Sequence, residues 1–312
     1  MKAVVFREYG PPNVLRLADV PKPKPKPDQV LIRVRAAGVN PSDAGLRAGQ
    51  LRWILPARFP KIPGSECAGV VEAVGERVTT VQPGARVVGL LGHRGGGYAE
   101  YAVAKADRVV KLPDNVSFEQ GAAVPVAGIT ALQALRNIGR VRPGDAVLVN
   151  GASGGVGTMA VQIARILGAA VTGVCSAANV HWIRELGADR VIAYDHEDFT
   201  QRPDRYQIVF DTVNKRKFRE CRRVLARNGT YITTRPSPTV LLQYLLNSFR
   251  GQKARFIGAR DRGADVQWLV DHLQAGDLRV IIDRTYPLDK AADAHTYSET
   301  GRVRGKLILT VT

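Results

Sequence analysis

One segment constrains the fold more than any other: an apolar run that breaks into glycines and then resumes with helical periodicity. Residues 146–149 are typical of a buried strand, and apolar side chains recur at helical spacing from Met159 to Leu167, where Gly168 ends the pattern. Between them stands Gly-Ala-Ser-Gly-Gly-Val-Gly, at 151–157. Glycines at such a turn let the backbone approach a pyrophosphate, and the N–H groups at the helix start bind its charge. The pattern therefore predicts a dinucleotide site at Ser153, Gly154, Gly155, Val156 and Gly157.

The next apolar run, Ala170–Cys175, bears on which dinucleotide is bound. About 20 residues after the glycines, an NAD-binding fold usually places an acid on the ribose 2′-hydroxyl. Here Ser176 to Asn179 hold no carboxylate, and these two side chains could donate hydrogen bonds to a 2′-phosphate. We therefore predict NADPH, with NADH possible and a preference of about tenfold or less, because the loop also lacks a cation. Basic side chains that could reach the phosphate from elsewhere are Arg184, Arg304 and Lys306.

Composition favours a soluble, cytoplasmic enzyme. The chain has 312 residues and 45% hydrophobic content, enough for two domains. It has no apolar run of about 18 residues, and its first residues lack the apolar core of a signal peptide. Three scattered cysteines fit a reducing compartment. The net charge of +17 is spread along the chain without a nucleic-acid motif, so neither nucleic acid nor membrane is expected as a main partner.

The secondary-structure pattern changes near residue 117. Short strands separated by Gly and Pro turns fill the earlier part and predict a partly open barrel. Helices then alternate with apolar strands, which predicts a doubly wound parallel sheet of the Rossmann type. The tail returns to strands, so we assign 1–116 and 277–312 to a substrate-binding domain and 117–276 to a dinucleotide-binding domain. The predicted strands of the second part are 146–150, 170–175, 190–193, 208–211, 229–233 and 255–259.

Several motifs in order resemble the medium-chain dehydrogenase/reductase superfamily, in its zinc-independent quinone oxidoreductase-like branch. They are Ala-Gly-Val-Asn-Pro-Ser-Asp at 37–43, Pro-Gly-Ser-Glu-Cys-Ala-Gly at 63–69, Gly-Tyr-Ala-Glu-Tyr at 97–101, the glycine loop and Gly-Lys-Leu-Ile-Leu at 305–309. The resemblance implies a GroES-like barrel domain and a Rossmann domain, commonly in a homodimer. It also implies NADPH-dependent reduction of quinones or of C=C bonds conjugated to a carbonyl.

The same resemblance suggests the residues that carry the chemistry. Zinc-dependent relatives have a Cys and a His-Glu pair where this chain has Asn40 to Asp43 and Ser65-Glu66, so no metal site is expected. Asn40 would hold the ribose or the substrate carbonyl, and Thr130 the carboxamide. Asp43 is either catalytic or a helix cap. Tyr98 or water would supply the proton, with packing at a strand edge the alternative for Tyr98.

Three positions depart from the resemblance. Ala178 replaces a common Lys or Arg, Asn214 replaces a Gly, and Arg235 follows Thr234 where a small residue is common. We place Asn214 and Thr234 among the cofactor-binding residues. Changes at several such positions also suit a non-redox cyclase or isomerase that retains the scaffold, using Asn214 and Arg235 as polar groups. A non-catalytic binding protein is a further alternative.

Two apolar segments, 46–59 and 237–250, are expected to shape the substrate pocket. Their supply of Trp, Leu, Ile, Tyr and Phe predicts a small apolar conjugated carbonyl compound or quinone as substrate. The same side chains could instead form a dimer contact or core.

Overall fold

The computed structural model describes residues 1–50, 52–53, 56–235 and 251–312. Contacts divide the chain into two compact units. The first unit comprises 1–126, 261–276 and 280–312, and the second comprises 127–260 and 277–279. None of the helices in the described ranges is long and apolar enough to cross a membrane.

The bounds of the regular elements follow the apolar runs of the sequence. In chain order, the strands of the described residues are β1 (Lys2–Val5), β2 (Arg16–Asp19), β3 (Gln29–Val39), β4 (Glu66–Val74), β5 (Arg86–Leu90), β6 (Tyr101–Lys105), β7 (Val109–Lys111), β8 (Ala146–Asn150), β9 (Ala170–Cys175), β10 (Arg190–Ala193), β11 (Tyr206–Asp211), β12 (Leu225–Thr233), β13 (Lys253–Phe256), β14 (Ile282–Pro287) and β15 (Lys306–Thr310). The α-helices are α1 (Pro41–Arg47), α2 (Phe118–Ala123), α3 (Pro125–Leu132), α4 (Gly155–Ile166), α5 (Val180–Glu185), α6 (Phe218–Cys221), α7 (Gly263–Ala275) and α8 (Ala291–Glu299).

The first unit is built on a sheet of order β14-β15-β3-β4-β5-β7, with β6 paired to β3. Its pairs are antiparallel except β14 with β15, which run parallel. The long strand β3 pairs with β4, β6 and β15, so it organises this sheet. Inward side chains of β3, such as Val30 and Ile32, are fully buried in the core.

The second unit is a parallel sheet of order β10-β9-β8-β11-β12-β13. The order reverses between β8 and β11, as in doubly wound dinucleotide-binding folds. Val147, Leu148 and Val149 of β8 are 0% exposed, because the sheet is covered on both faces. The GroES-like and Rossmann classes predicted from sequence are confirmed.

The two compact units differ from the predicted domain bounds at two helices, α2 and α7, which both fall in the first unit. The sequence places α7 in the dinucleotide-binding domain, but in the structure α7 packs against β7 in the first unit. An ion pair links the segment before this helix to the same unit, since Arg108 Nη1 lies 2.6 Å from Asp261 Oδ2. The sequence of a helix at a domain boundary does not show which of the two domains it packs against, because that depends on tertiary packing.

Candidate active site

The glycine turn lies between the predicted strand and helix, at the carboxyl end of β8. Helix α4 begins at Gly155, and its N-cap residue is Gly154, which has no side chain to accept from the first amides of the helix. The first amides of a helix have no acceptor within the helix, so this end presents donors and the positive end of the helix dipole. Ser153, Gly154, Gly155 and Val156 are only half-buried. The turn can therefore bind an anion such as a pyrophosphate.

Gly157 fixes how closely helix and turn approach each other. A Cβ built at Gly157 would lie 2.0 Å from the carbonyl oxygen of Gly151. No side chain fits there, so this glycine serves helix–turn packing. By contrast, a Cβ at Gly154 would meet only the Gly151 oxygen, at 3.6 Å. Gly154 thus faces open space, where a ligand can approach the backbone.

Residues after β9 form a tight local turn. The Nδ2 of Asn179 donates to Ser176 Oγ at 3.1 Å, and Asn179 Oδ1 accepts from Trp182 Nε1 at 3.1 Å. Asn179 is buried, whereas Ser176 is half-buried. The two predicted phosphate ligands are therefore brought together, with Asn179 largely used in shaping the turn.

Asn214 joins the loops that follow β11 and β12. Its φ is +58°, a left-handed conformation that Asn tolerates. Its Oδ1 accepts from the hydroxyl of Thr233 and, at 2.9 Å, from the backbone N–H of Arg235, while its Nδ2 donates to Thr234 Oγ1 at 2.9 Å. The structure thus brings the predicted residues Asn214 and Thr234 into contact beyond the carboxyl ends of β11 and β12.

The loop of Asn214 is held by a carboxylate that the sequence analysis does not single out. Asp211 is 0% exposed and accepts from the backbone N–H groups of Val213, Asn214 and Arg216. It also accepts from Asn150 Nδ2 at 2.9 Å. The signal for Asp211 in the sequence is an acidic residue at the end of an apolar strand.

Two further predicted residues of the second unit are Thr130 and Arg184. Thr130 is half-buried on α3. Arg184 lines a groove of about 560 Å³ together with Gln162, Arg165 and Arg279. It also borders Arg190, where β10 begins, whereas the glycine turn follows the end of its strand. Arg184 therefore lies at the amino ends of the strands, whereas the glycine turn lies at their carboxyl ends, so Arg184 is not placed to bind a 2′-phosphate.

The first unit contains a buried polar cluster that joins three of its elements. Lys306 Nζ lies 2.8 Å from Glu66 Oε1 and 2.5 Å from Asn40 Oδ1. Asn40 Nδ2 donates to the same Glu66 oxygen at 2.8 Å, and the backbone N–H of Val126 donates to Glu66 Oε2 at 2.6 Å. Lys306 is predicted from sequence to bind the cofactor, but its ammonium is 3% exposed and already paired. We assign Lys306 to the cluster instead.

The glycine of the Ala-Gly-Val-Asn motif belongs to this cluster. A Cβ at Gly38 would lie 2.1 Å from Glu66 Oε1 and 2.7 Å from the carbonyl oxygen of Ala122. The carboxylate of Glu66 therefore packs directly on the backbone of β3. The sequence carried this signal as a glycine inside a strand pattern, which indicates close approach.

Asp43 lies next to the cluster as the third residue of α1, whose N-cap is Asn40. Its Oδ2 accepts from the backbone N–H of Asn40 at 3.1 Å, and its Oδ1 accepts from Ser65 Oγ at 2.7 Å. Burial raises the pKa of Asp43 to about 6, an effect that the hydrogen bond from Ser65 partly opposes. Asp43 is therefore not the N-cap that the sequence suggests as the alternative to a catalytic role, but the acidic residue of a capping box that positions Asn40.

Tyr98 is fully buried and paired with a histidine that the sequence analysis leaves unassigned. Its hydroxyl lies 3.1 Å from His295 Nε2. Burial and the nearby Asp43 carboxylate raise the pKa of Tyr98 well above its ordinary value. Burial, and then the charge of Arg47, lower the pKa of His295 to about 3. His295 is therefore neutral, and Tyr98 keeps its proton.

The donor set of the described residues does not suit zinc. Within those ranges, no group of three or more His, Cys, Asp or Glu side chains could hold a metal ion. Burial raises the pKa of the Cys67 thiol to about 12, which disfavours the thiolate that zinc binds. Glu66 faces a lysine ammonium, which already neutralises its charge.

Substrate-pocket residues are only partly covered by the structure. Trp53 is described and is 86% exposed. The predicted pocket residues 51, 54, 55 and 237–250 lie outside the described residues.

Two protein families match the chain. The Alcohol dehydrogenase GroES-like domain matches residues 26–114, and the Zinc-binding dehydrogenase family matches 186–309. The chain is 34% identical to the chloroplast envelope quinone oxidoreductase homolog of Arabidopsis thaliana, over 99% of this chain and 98% of that one.

Solved structures show the same similarity. The quinone oxidoreductase from Coxiella burnetii has a TM-score of 0.93 and 33% identity, covering 100% of this chain and 99% of that chain. The Escherichia coli quinone oxidoreductase complexed with NADPH has a TM-score of 0.87 and 26% identity, covering 99% and 100%.

A barrel of the GroES type, a doubly wound sheet and a glycine turn at its switch point define a medium-chain dehydrogenase/reductase. Similarity over almost the whole length of both chains narrows the assignment. The chain belongs to the quinone oxidoreductase-like branch of that superfamily.

Proposed function

We propose that this protein is an NAD(P)H-dependent reductase of quinones, or of C=C bonds conjugated to a carbonyl, and that it acts without a metal ion. The observation that carries the proposal is the uncapped start of α4 at the glycine turn of a parallel sheet. The reduced nicotinamide supplies the hydride when it is bound. The similar Escherichia coli enzyme is a complex with NADPH, which supports a cofactor of this class.

The glycine turn fits the pyrophosphate of such a cofactor. The half-buried residues Ser153 to Val156 offer backbone donors, and Gly154 leaves room beside them. A phosphate there would meet amide dipoles without displacing any side chain. Ser176, Asn214 and Thr234 come after the carboxyl ends of β9, β11 and β12 in the same sheet, so we assign them to the ribose and nicotinamide portions.

Asn40 is the first-unit residue that we assign to the substrate carbonyl or the ribose. Lys306 and Glu66 hold both ends of its amide. Asn40 is as buried as Lys306, at 3% exposed, but unlike the ammonium it keeps one Nδ2 N–H without an acceptor among the described residues, and we assign that N–H to an oxygen that gains negative charge. We retain Thr130 as the ligand of the carboxamide. Because Tyr98 is buried and keeps its proton, water is favoured as the proton donor.

The metal-free part of the proposal rests on the chemistry of the donors. A zinc ion needs thiolates or neutral imidazoles at close quarters. In this chain the position next to Glu66 is Ser65, and the Glu66 carboxylate pairs with Lys306. An enolate or hydroquinone oxygen would then be stabilised by hydrogen bonds.

The test is a screen of quinones and enones with NADH and with NADPH, followed at the nicotinamide absorbance band. Oxidation of either nucleotide that depends on an acceptor supports the proposal. Failure of both nucleotides with every acceptor would contradict it and favour the non-redox cyclase or isomerase. Dimer formation and a cytoplasmic location stay predictions.

A further inference from the structure

We infer that Asp195 supplies the acid that the sequence lacks after β9, and that it makes this chain prefer NADH over NADPH. The inference rests on the proposed function, because it concerns the adenosine ribose of the same cofactor. It reverses the weak NADPH preference that the loop sequence alone predicts.

The position of Asp195 follows from two neighbouring strand ends. The backbone N–H of Ala177 donates to both carboxylate oxygens of Asp195, at 3.0 Å each. The backbone N–H of Tyr194 donates to the carbonyl oxygen of Cys175 at 2.9 Å. The chain leaving β10 is thereby fastened to the chain leaving β9. This places a carboxylate two residues beyond the end of the second strand of the nucleotide-binding half.

That strand end is where dinucleotide folds bind the adenosine ribose. An acid there accepts a hydrogen bond from the 2′-hydroxyl of NADH. The same acid repels the 2′-phosphate of NADPH, which carries up to two negative charges. In sequence Asp195 lies far beyond the usual position of this acid, so a motif search does not find it.

The Asp195 carboxylate is not neutralised by a basic side chain of the described residues. The Asp195 side chain is exposed, and Ala177 and Ala178 beside it are exposed and uncharged. Within the described part of the chain, no lysine or arginine forms an ion pair with Asp195. Arg184 lies near the amino end of β10, whereas Asp195 follows the carboxyl end of that strand. The unneutralised charge beside the Ala177 backbone is therefore that of the Asp195 carboxylate.

A charge-assisted hydrogen bond to the ribose, gained by one nucleotide and lost by the other, corresponds to about a 10-fold to 100-fold preference for NADH. The experiment measures dissociation constants of NADH and NADPH by titration calorimetry. Competition by 5′-AMP and by 2′,5′-ADP repeats the comparison without the nicotinamide. The titrations are made at a pH above the range in which histidines ordinarily titrate. His196 is the residue after Asp195, and a change in its charge would alter the comparison.

The decisive variant is Asp195→Asn, whose amide oxygen can still accept from Ala177. We expect the NADH preference to fall at least about tenfold, through weaker NADH and tighter NADPH binding. Asp189→Asn is the matched control. The Asp189 carboxylate also accepts a backbone N–H, that of Val171 at 2.6 Å, but at the other end of β9. The nucleotide preference of the Asp189→Asn variant should equal that of the wild type.

The outcomes separate this inference from the proposed function. A wild-type preference for NADPH, or an unchanged ratio in Asp195→Asn, overturns the role of Asp195 while the reductase assignment stands. If the wild type binds neither nucleotide, the proposed function fails and the inference fails with it.

Discussion

The ammonium of Lys306 and the carboxylate of Glu66 form an ion pair of 2.8 Å in the interior of the first unit, where the two side chains are 3% and 0% exposed. Breaking a buried pair by removing one partner leaves an uncompensated charge and typically costs about 3–5 kcal/mol. We expect Lys306→Met to lower the free energy of unfolding by that amount in urea denaturation. Adding Glu66→Gln should recover part of the loss. Equal stability of Lys306→Met and the wild type would contradict the pairing.

Two glycines of the turn should separate folding from binding. Gly157→Ala places a methyl group against the Gly151 carbonyl oxygen, so we expect lower stability, by about 1–3 kcal/mol, as for overpacking. Gly154→Val adds its side chain to open space at a φ of −84°, so the fold should persist. Dinucleotide affinity should nevertheless fall at least tenfold, because the side chain occupies the place of the phosphate. Calorimetric titration and thermal unfolding together check both statements.

Much of this arrangement is predictable from sequence. The bounds of β8, β9 and β10 match the predicted strands, because an apolar run between turn residues defines a buried parallel strand. The glycine turn is equally predictable, because it depends only on residues that are close together in the sequence. Long-range pairing is different, since Lys306 and Glu66 are 240 residues apart and only the folded sheet joins them.

Asp195 shows the same limit in the cofactor half. Its distance of 18 residues from Ala177 is bridged by the pairing of β9 and β10, which no motif spacing encodes. The role of Asp43 was undecided in sequence, because a cap and a catalytic acid use the same residue type. Its contacts with Asn40 and Ser65 make it the third residue of a capping box, whose N-cap is Asn40.

His295 should make stability fall on acidification. Its pKa is about 3 in the folded protein against an ordinary value of 6.5, so between these values only the unfolded chain binds the proton. Stability is then lost as pH falls from about 6.5 towards 3, by about 1.4 kcal/mol per pH unit. Asp43 acts in the opposite direction. Its pKa is raised from 3.8 to about 6, so its contribution falls as pH rises across that interval.

The variant His295→Gln removes the first effect and leaves the second. We expect the stability difference between wild type and variant to grow by about 2–3 kcal/mol from pH 4 to pH 6. Urea denaturation at several pH values measures it, and groups common to both proteins cancel. A difference independent of pH would show that His295 titrates normally in the folded protein.

Metal should play no part in activity. We expect enzyme activity to be unchanged by chelators and elemental analysis to find well under one zinc per chain. The physical reason is that Lys306, rather than a cation from solution, neutralises Glu66. Stoichiometric zinc that survives dialysis would contradict this part of the account.

The central claim, hydride transfer from a nicotinamide to a conjugated acceptor, is tested most directly with NADH and NADPH deuterated at the transferring carbon. An enone is the right acceptor, because deuterium delivered to carbon is retained, whereas a hydroquinone exchanges it with water. Mass spectrometry and NMR should find one deuterium at the β-carbon of the saturated ketone, with one nucleotide oxidised per product. An isomerised or cyclised product without deuterium, formed while the nucleotide stays reduced, would contradict the account.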